Sequence, residues 1–205
     1  MDTTLRDGEQ TTGVSFSKGE KLSVAKVLLE DVKVDRIEIA SARVSEGELK
    51  GAKQVLKWAA QKGQLEKVEI LGFVDGDISL KWIADAGGKV INLLCKGSLK
   101  HVKEQLRKTP EEHLADIRKV IASAEEMGIR VNVYLEDWSN GMRNSKDYVH
   151  FMISNLKNEK TDRIMLPDTL GILDPDETYD FCREMIETYP DVNFDYHAHN
   201  DYDLA

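Results

Sequence analysis

The feature that most constrains this chain is an alternation. Short apolar, β-branched runs take turns with amphipathic stretches from end to end, and no hairpin turn such as Asn-Gly joins two adjacent runs. The runs are Arg36 to Ala40, Val68 to Val74, Val90 to Cys95, Val131 to Leu135, Arg163 to Leu166 and Phe194 to His197. Strands separated by helices rather than tight turns pair in parallel, because a parallel neighbour needs a long crossover to return the chain to the same end. With Met1–Thr4 as a further strand, about seven are expected.

The intervening stretches carry helical spacing. Leu22, Ala25, Leu28, Leu29 and Val32 form one apolar stripe, Leu49, Ala52, Val55, Leu56 and Ala59 a second, and Leu114, Ile117, Ile121 and Ala124 a third. Thr109-Pro110-Glu111-Glu112 and Asp174-Pro175-Asp176-Glu177 each combine an N-cap residue, a proline in the first turn and a glutamate placed to close a capping box. Gly63, Gly87-Gly88 and Gly128 mark helix ends. Met152, Met185 and Trp82 sit at helical spacing and are expected in the core. This rhythm suits a doubly wound sheet and a (β/α)8 barrel equally. A missing Gly-x-Gly-x-x-Gly turn after the first strand weakens the dinucleotide-binding version.

Composition removes several function classes. A formal net charge of -9 disfavours nucleic acid, whose phosphates call for clustered Lys and Arg. Lys50, Lys53 and Lys57 are interleaved with acids and apolar residues and read as a solvated helix face. No apolar run approaches bilayer length, and the opening residues lack a basic segment followed by an apolar one, so neither a membrane span nor a secretory signal is expected. Cys95 and Cys182 are far apart and form no Cys-x-x-Cys pair. That argues against a disulfide framework and for a reducing, cytoplasmic setting.

Polar residues gather at the C-terminal ends of the runs: Glu38, Glu136-Asp137, Asp168-Thr169 and His197-Ala198-His199. In a parallel barrel those ends share one mouth, where chemistry is done. Imidazoles two positions apart on an extended strand point to the same side and can grip one ion, although a chance pairing is the plain alternative. The segment Asp2-Thr3-Thr4-Leu5-Arg6-Asp7-Gly8-Glu9-Gln10 is dense in charge where a first strand ends. It reads either as an exposed loop with Arg6 paired to a nearby acid, or as Asp7 offering a hard oxygen ligand beside a fixed cation. Two imidazoles and one carboxylate leave open positions on a divalent ion for a chelating substrate.

These segments together resemble the isopropylmalate, homocitrate and citramalate synthase family, in a superfamily that also holds hydroxymethylglutaryl-CoA lyase and pyruvate-handling carboxylase domains. The opening segment resembles the family's first signature, and His197-Ala198-His199-Asn200-Asp201 its histidine metal motif. Leu166-Pro167-Asp168-Thr169-Leu170-Gly171 resembles the sixth-strand segment and Glu136-Asp137 the fifth-strand acidic pair. The resemblance implies a (β/α)8 TIM barrel and a Claisen condensation of acetyl-CoA, as co-substrate, with a 2-oxo acid. It implies that Asp7, His197 and His199 bind a divalent metal (Mn2+, Mg2+ or Zn2+) and that Arg6 stabilises charge on the keto oxygen. Thr169 would hydrogen-bond the oxo acid, Gln10 would position the reactants and Glu136 would handle protons. Asp7, where homocitrate synthases commonly carry Glu, leans the reading towards 2-isopropylmalate synthase and leucine biosynthesis, or towards citramalate synthase. An acyl-CoA lyase on the same site, or an inactive metal-binding fragment, are the alternatives. A homodimer is the assembly implied.

Three departures bear on the substrate pocket: Thr12 in place of a frequent proline, Ala40-Ser41-Ala42 in place of Gly-Phe-Pro, and Tyr202-Asp203 in place of Leu-Gly. Glu38 either faces that pocket or forms a salt bridge at the mouth. His101 is expected to be exposed among Lys100 and Lys103, and His113 and His150 have no partner legible in sequence. Residues 1–205 are expected to be one partial catalytic barrel domain, cut short at both ends and lacking the eighth strand.

Overall fold

The computed structural model describes residues 1–204. Six strands appear: β1 (Ile37–Ser41), β2 (Val68–Phe73), β3 (Val90–Lys96), β4 (Arg130–Glu136), β5 (Arg163–Asp168) and β6 (Phe194–Ala198). Each falls on one of the six runs read from sequence. The seventh expected strand, Met1–Thr4, reduces to one isolated parallel bridge between Asp2 and Ile37. Its backbone exchanges two hydrogen bonds, Asp2 N–H to the Arg36 carbonyl and Glu38 N–H to the Asp2 carbonyl, both 2.9 Å.

The strands form one sheet in the order β1-β2-β3-β4-β5-β6, and the β1–β2, β4–β5 and β5–β6 pairings are parallel. That order decides between the two architectures left open by periodicity. A doubly wound sheet reverses direction at a switch point, whereas a (β/α)8 barrel adds each strand beside the last. The fold is therefore of the barrel type, with six of a barrel's eight strands among the described residues. Strand burial agrees: Val68, Ile70, Val90, Ile91, Leu93, Val133 and Leu135 are almost fully buried, as expected of parallel strands covered on both faces.

The helices are α1 (Lys18–Lys26), running on into a wider π turn (Val27–Val32), α2 (Glu46–Gln61), α3 (Ile78–Ala86), a short turn α4 (Leu99–His101), α5 (Pro110–Glu126), α6 (Trp138–Asn144), α7 (Lys146–Leu156) and α8 (Pro175–Thr188). Both expected capping boxes form, Thr109 with Glu112 and Asp174 with Glu177. Ser17 with Glu20 makes a third. Gly63, Gly87 and Gly128 all take positive φ at helix ends. Lys50, Lys53 and Lys57 are exposed. Met152 and Met185 are buried, but Trp82 is half-exposed. The first stripe also shifts: Val32 is 60% exposed, while Lys21, Ala25 and Leu29 occupy the inner face. The π turn rotates the end of that helix so that Val32 leaves the buried side. None of the described helices is long and apolar enough to cross a membrane.

The residues group into two compact units, 1–92 with 123–130, and 93–122 with 131–205.

Candidate metal centre

In the first unit the opening segment is a knot of backbone hydrogen bonds. The Thr3 carbonyl accepts the N–H groups of Arg6 (3.1 Å), Asp7 (2.8 Å) and Gly8 (3.1 Å). The Asp2 carboxylate accepts the Thr4 N–H at 3.0 Å, so a side chain stands in for a backbone turn. Arg6 leaves this knot with Nη1 donating to Asp7 Oδ1 at 2.8 Å and Nε donating to Glu38 Oε2. Glu38, expected at the C-terminal end of its run, lies instead second in β1. It is fully buried, and its Oε1 accepts the Asn92 amide from β3 at 2.6 Å. The salt-bridge reading of Glu38 holds. An ionised carboxylate so deep needs charged and hydrogen-bonded partners, and Arg6 and Asn92 supply them. The outcome is a guanidinium with little freedom beside the Asp7 carboxylate.

Lys21, which the sequence reading passed over, anchors the same loop from α1. Its ammonium reaches the Leu5 and Ile39 carbonyls (3.3 and 3.2 Å), Glu48 (2.8 Å) and Glu9 (2.7 Å). Glu9 also accepts the Phe16 N–H at 2.8 Å. Gln10 is exposed and lines a cavity of about 590 Å³ with Arg6, Glu9, Phe16 and Lys21.

In the second unit β6 delivers His197, and His199 follows just past its end. Their Nε2 atoms lie 3.4 Å apart. Two imidazole nitrogens sharing one ion at about 2.1 Å sit roughly 3.0–3.4 Å apart for coordination angles between a right angle and the tetrahedral one, so the pair has the spacing of a two-nitrogen grip. Behind His197 stands the ring of Tyr134 from β4, edge-on with centroids 5.8 Å apart.

The acidic pair at the end of β4 divides its labour. Asp137 is buried and takes a left-handed backbone, φ 66°. Its carboxylate accepts Ser98 Oγ at 2.6 Å and the Asn140 amide at 2.8 Å, with His101 Nε2 3.4 Å away. His101 is thus largely covered, correcting its expected exposure. Glu136 stays partly exposed and pairs through Oε2 with the Lys96 ammonium. Thr169 accepts the Asp137 N–H at 2.9 Å, which leaves its hydroxyl hydrogen to donate elsewhere. The other two histidines also find partners. His113 Nε2 accepts the Lys96 N–H at 3.1 Å, and His150 meets Tyr189 (2.8 Å) and Glu184 (3.0 Å).

Lys96, the last residue of β3, obeys the same pattern that singled out the other strand-end polar residues, whereas Asn92 lies inside that strand. Lys21 sits one helical turn before Ala25, where a charge on an apolar stripe is itself a signal.

Comparison with known proteins gives three concordant findings. The sequence model of the HMGL-like family matches residues 1–205. The (R)-citramalate synthase of Methanocaldococcus jannaschii is 33% identical over 205 residues, covering 100% of this chain and 40% of that protein. The homocitrate synthase of Sulfurisphaera tokodaii is 34% identical over 208 residues, covering 100% and 44% respectively. A solved HMG-CoA lyase from Bacillus subtilis superposes with a TM-score of 0.76 at 17% identity, over 97% of this chain and 67% of that one. The chain spans 39% to 44% of the length of such curated relatives.

Proposed function

Because the chain belongs to the HMGL-like family, we propose that it is part of the catalytic barrel of an enzyme that condenses acetyl-CoA with a 2-oxo acid on a divalent metal ion. The observation that carries this reading is the His197–His199 pair, whose Nε2 atoms lie 3.4 Å apart. Asp7, held beside Arg6 in the opening segment, is the carboxylate proposed to complete the ligand set. One carboxylate and two imidazoles suit a divalent ion with positions left for a chelating oxo acid. Such an ion supplies Lewis-acid polarisation of the substrate's keto group.

The chain's own residues supply the rest. Glu136 Oε1 takes a proton from the acetyl-CoA methyl group. The resulting carbanion forms a carbon–carbon bond to the keto carbon, whose π electrons move onto oxygen. Arg6, braced by Glu38, faces that developing negative charge, and a cation fixed beforehand needs no reorganisation as the charge appears. Thr169 donates its hydroxyl hydrogen to the oxo acid, and Gln10 stands at the adjoining cavity. The alkoxide takes up a proton, balancing the one Glu136 accepted, and hydrolysis of the thioester by water then releases the coenzyme A thiol and makes the sequence irreversible.

The acceptor is best read as a small oxo acid. The sequence leans towards 2-oxoisovalerate, giving 2-isopropylmalate on the way to leucine, or towards pyruvate, giving citramalate. The shorter pyruvate is in keeping with the citramalate synthase among the relatives. Thiol release by the full-length protein with acetyl-CoA, Mn2+ and each of pyruvate, 2-oxoisovalerate and 2-oxoglutarate tests both levels. Release with none of the three overturns condensation, and a preference for 2-oxoglutarate overturns the small acceptor. A homodimer is the assembly proposed, to be checked by light scattering.

A further inference from the structure

The end of β3 is held with unusual completeness. The Lys96 N–H donates to His113 Nε2 at 3.1 Å, and the Lys96 carbonyl accepts the Tyr148 hydroxyl at 2.8 Å. Both side chains are buried, one from α5 and one from α7. Burial lowers the His113 pKa to about 4, with the positive Lys108 adding to the effect, so at neutral pH its ring is uncharged and can accept the hydrogen bond. Next along, Gly97 N–H donates to the Glu136 carbonyl at 2.6 Å. A Cβ on Gly97 would lie 2.3 Å from the Leu135 carbonyl oxygen, so only glycine permits so close an approach of β3 to β4. Two hydrogen bonds on the Lys96 backbone and the close approach of Gly97 next to it thus fix the end of β3 against the strand end that carries Glu136.

What this bracing sets is the Lys96 ammonium, whose side chain is 16% exposed and pairs with Glu136 Oε2. A lysine on a flexible four-carbon stem normally loses much side-chain entropy when held in one geometry. Here the stem starts from a fixed point. The pairing engages one carboxylate oxygen of Glu136 and leaves Oε1 as the proton-accepting one.

We propose that Lys96 is the positioning residue for Glu136: its ammonium holds Oε2 and keeps the carboxylate turned so that Oε1 meets the substrate proton. This rests on the condensation reading above. Lys96 acts through Glu136 and makes no bond in the reaction.

Steady-state kinetics on the full-length protein tests it, with coenzyme A thiol release as readout. Lys96→Met should lower kcat by about 10²-fold, the lower end of what a misplaced general base costs, while the KM for the oxo acid changes less than about threefold. Lys96→Arg, which keeps the charge, should recover at least a tenth of the wild-type kcat. In the double variant Lys96→Met/Glu136→Gln the loss should not exceed that of Glu136→Gln alone. Should the Met variant not fold, Lys96→Gln carries the same comparison. An active wild type with kcat unchanged in the neutral variant, or with losses that multiply in the double variant, overturns the role of Lys96 alone. A wild type silent with every oxo acid overturns the condensation reading and takes this inference with it.

Discussion

Gly171 and His199 meet backbone to backbone: a Cβ on Gly171 would lie 2.6 Å from the His199 carbonyl oxygen and 2.9 Å from the Asp201 nitrogen. The Asp168 carbonyl accepts both the Gly171 N–H (3.1 Å) and the His199 N–H (3.2 Å), and Asp168 Oδ2 accepts the Leu173 N–H at 2.9 Å. The loop after β5 is therefore the seat on which the second histidine rests.

Gly171→Ala should be costly twice over, through its positive φ of 60° and through the collision with backbone, which has no rotamer to escape into. Together these should destabilise by about 2–4 kcal/mol and weaken Mn2+ binding by displacing His199. Gly63→Ala is the control. It shares the positive φ (66°) but has nothing within 4 Å of the added carbon, so about 1 kcal/mol and unchanged metal affinity are expected. Urea titrations with calorimetric Mn2+ binding measure both. Equal penalties at the two positions would refute the seat.

Ligand removal should act on stability as well as on turnover. An ion that binds only the folded protein stabilises it by about 2.7 kcal/mol at one hundred times its Kd, which for a chain of this size raises Tm by roughly 5–10 °C. Chelation should reverse the shift, and His197→Ala or His199→Ala should abolish it while leaving the metal-free Tm within a few degrees. Persistence of the Mn2+ shift in both histidine variants would place the ion elsewhere.

Much of this was legible before any coordinates. All six strands fall on the predicted runs: β2 to β5 because a parallel strand buried on both faces must be a continuous apolar stretch, and β6, whose residues are only partly covered, by its place in the alternation. The capping boxes at Thr109 and Asp174 are local chemistry that sequence spells out. The sheet order was not legible, since barrel and doubly wound sheets share one period. Lys21 and Lys96 were missed for a different reason. Lysines in a chain this charged read as solvent-facing by default, and what makes these two different is a set of oxygen partners far away in sequence, Glu48 for one and Glu136 for the other. Glu38 was noticed, but only the fold shows that Arg6 and Asn92 hold its two oxygens. Trp82 failed because apolar spacing predicts a face and not how far round the helix that face extends, and Val32 because the π turn over Val27–Val32 departs from the α-helical period.

His113 makes stability depend on pH in a defined window. Its folded pKa is lowered to about 4, chiefly by burial, against about 6.5 in an unfolded chain. Between those values the unfolded state binds the extra proton, so stability falls as pH falls from about 6.5 to about 4 and is fully present above 6.5. Two and a half pKa units correspond to about 3 kcal/mol at the acid end. Urea unfolding at pH 4.5 and 7 should show this loss. His113→Gln, which keeps an acceptor for the Lys96 N–H and does not titrate, should flatten that part of the profile. A slope unchanged in the variant would assign the dependence to other groups.

Lys21 offers the sharpest test of how the opening motif is held. Its ammonium is 3% exposed and is shared by Glu9, Glu48 and the Leu5 and Ile39 carbonyls. Lys21→Met removes the cation that bridges two mostly covered carboxylates, and breaking a buried pair from one side costs about 3–5 kcal/mol. Neutralising the other side as well should help: Lys21→Met/Glu48→Gln is expected to be more stable than Lys21→Met, because one stranded charge is gone. The Leu5 carbonyl loses its anchor in both, and with it the neighbouring Arg6–Asp7 pair, so Mn2+ affinity should fall in both variants even where stability is partly regained. Denaturant titration separates the two effects from calorimetric metal binding. If the double variant regains stability and affinity together, Lys21 serves only to balance charge, and the loop carrying Asp7 is held by other contacts.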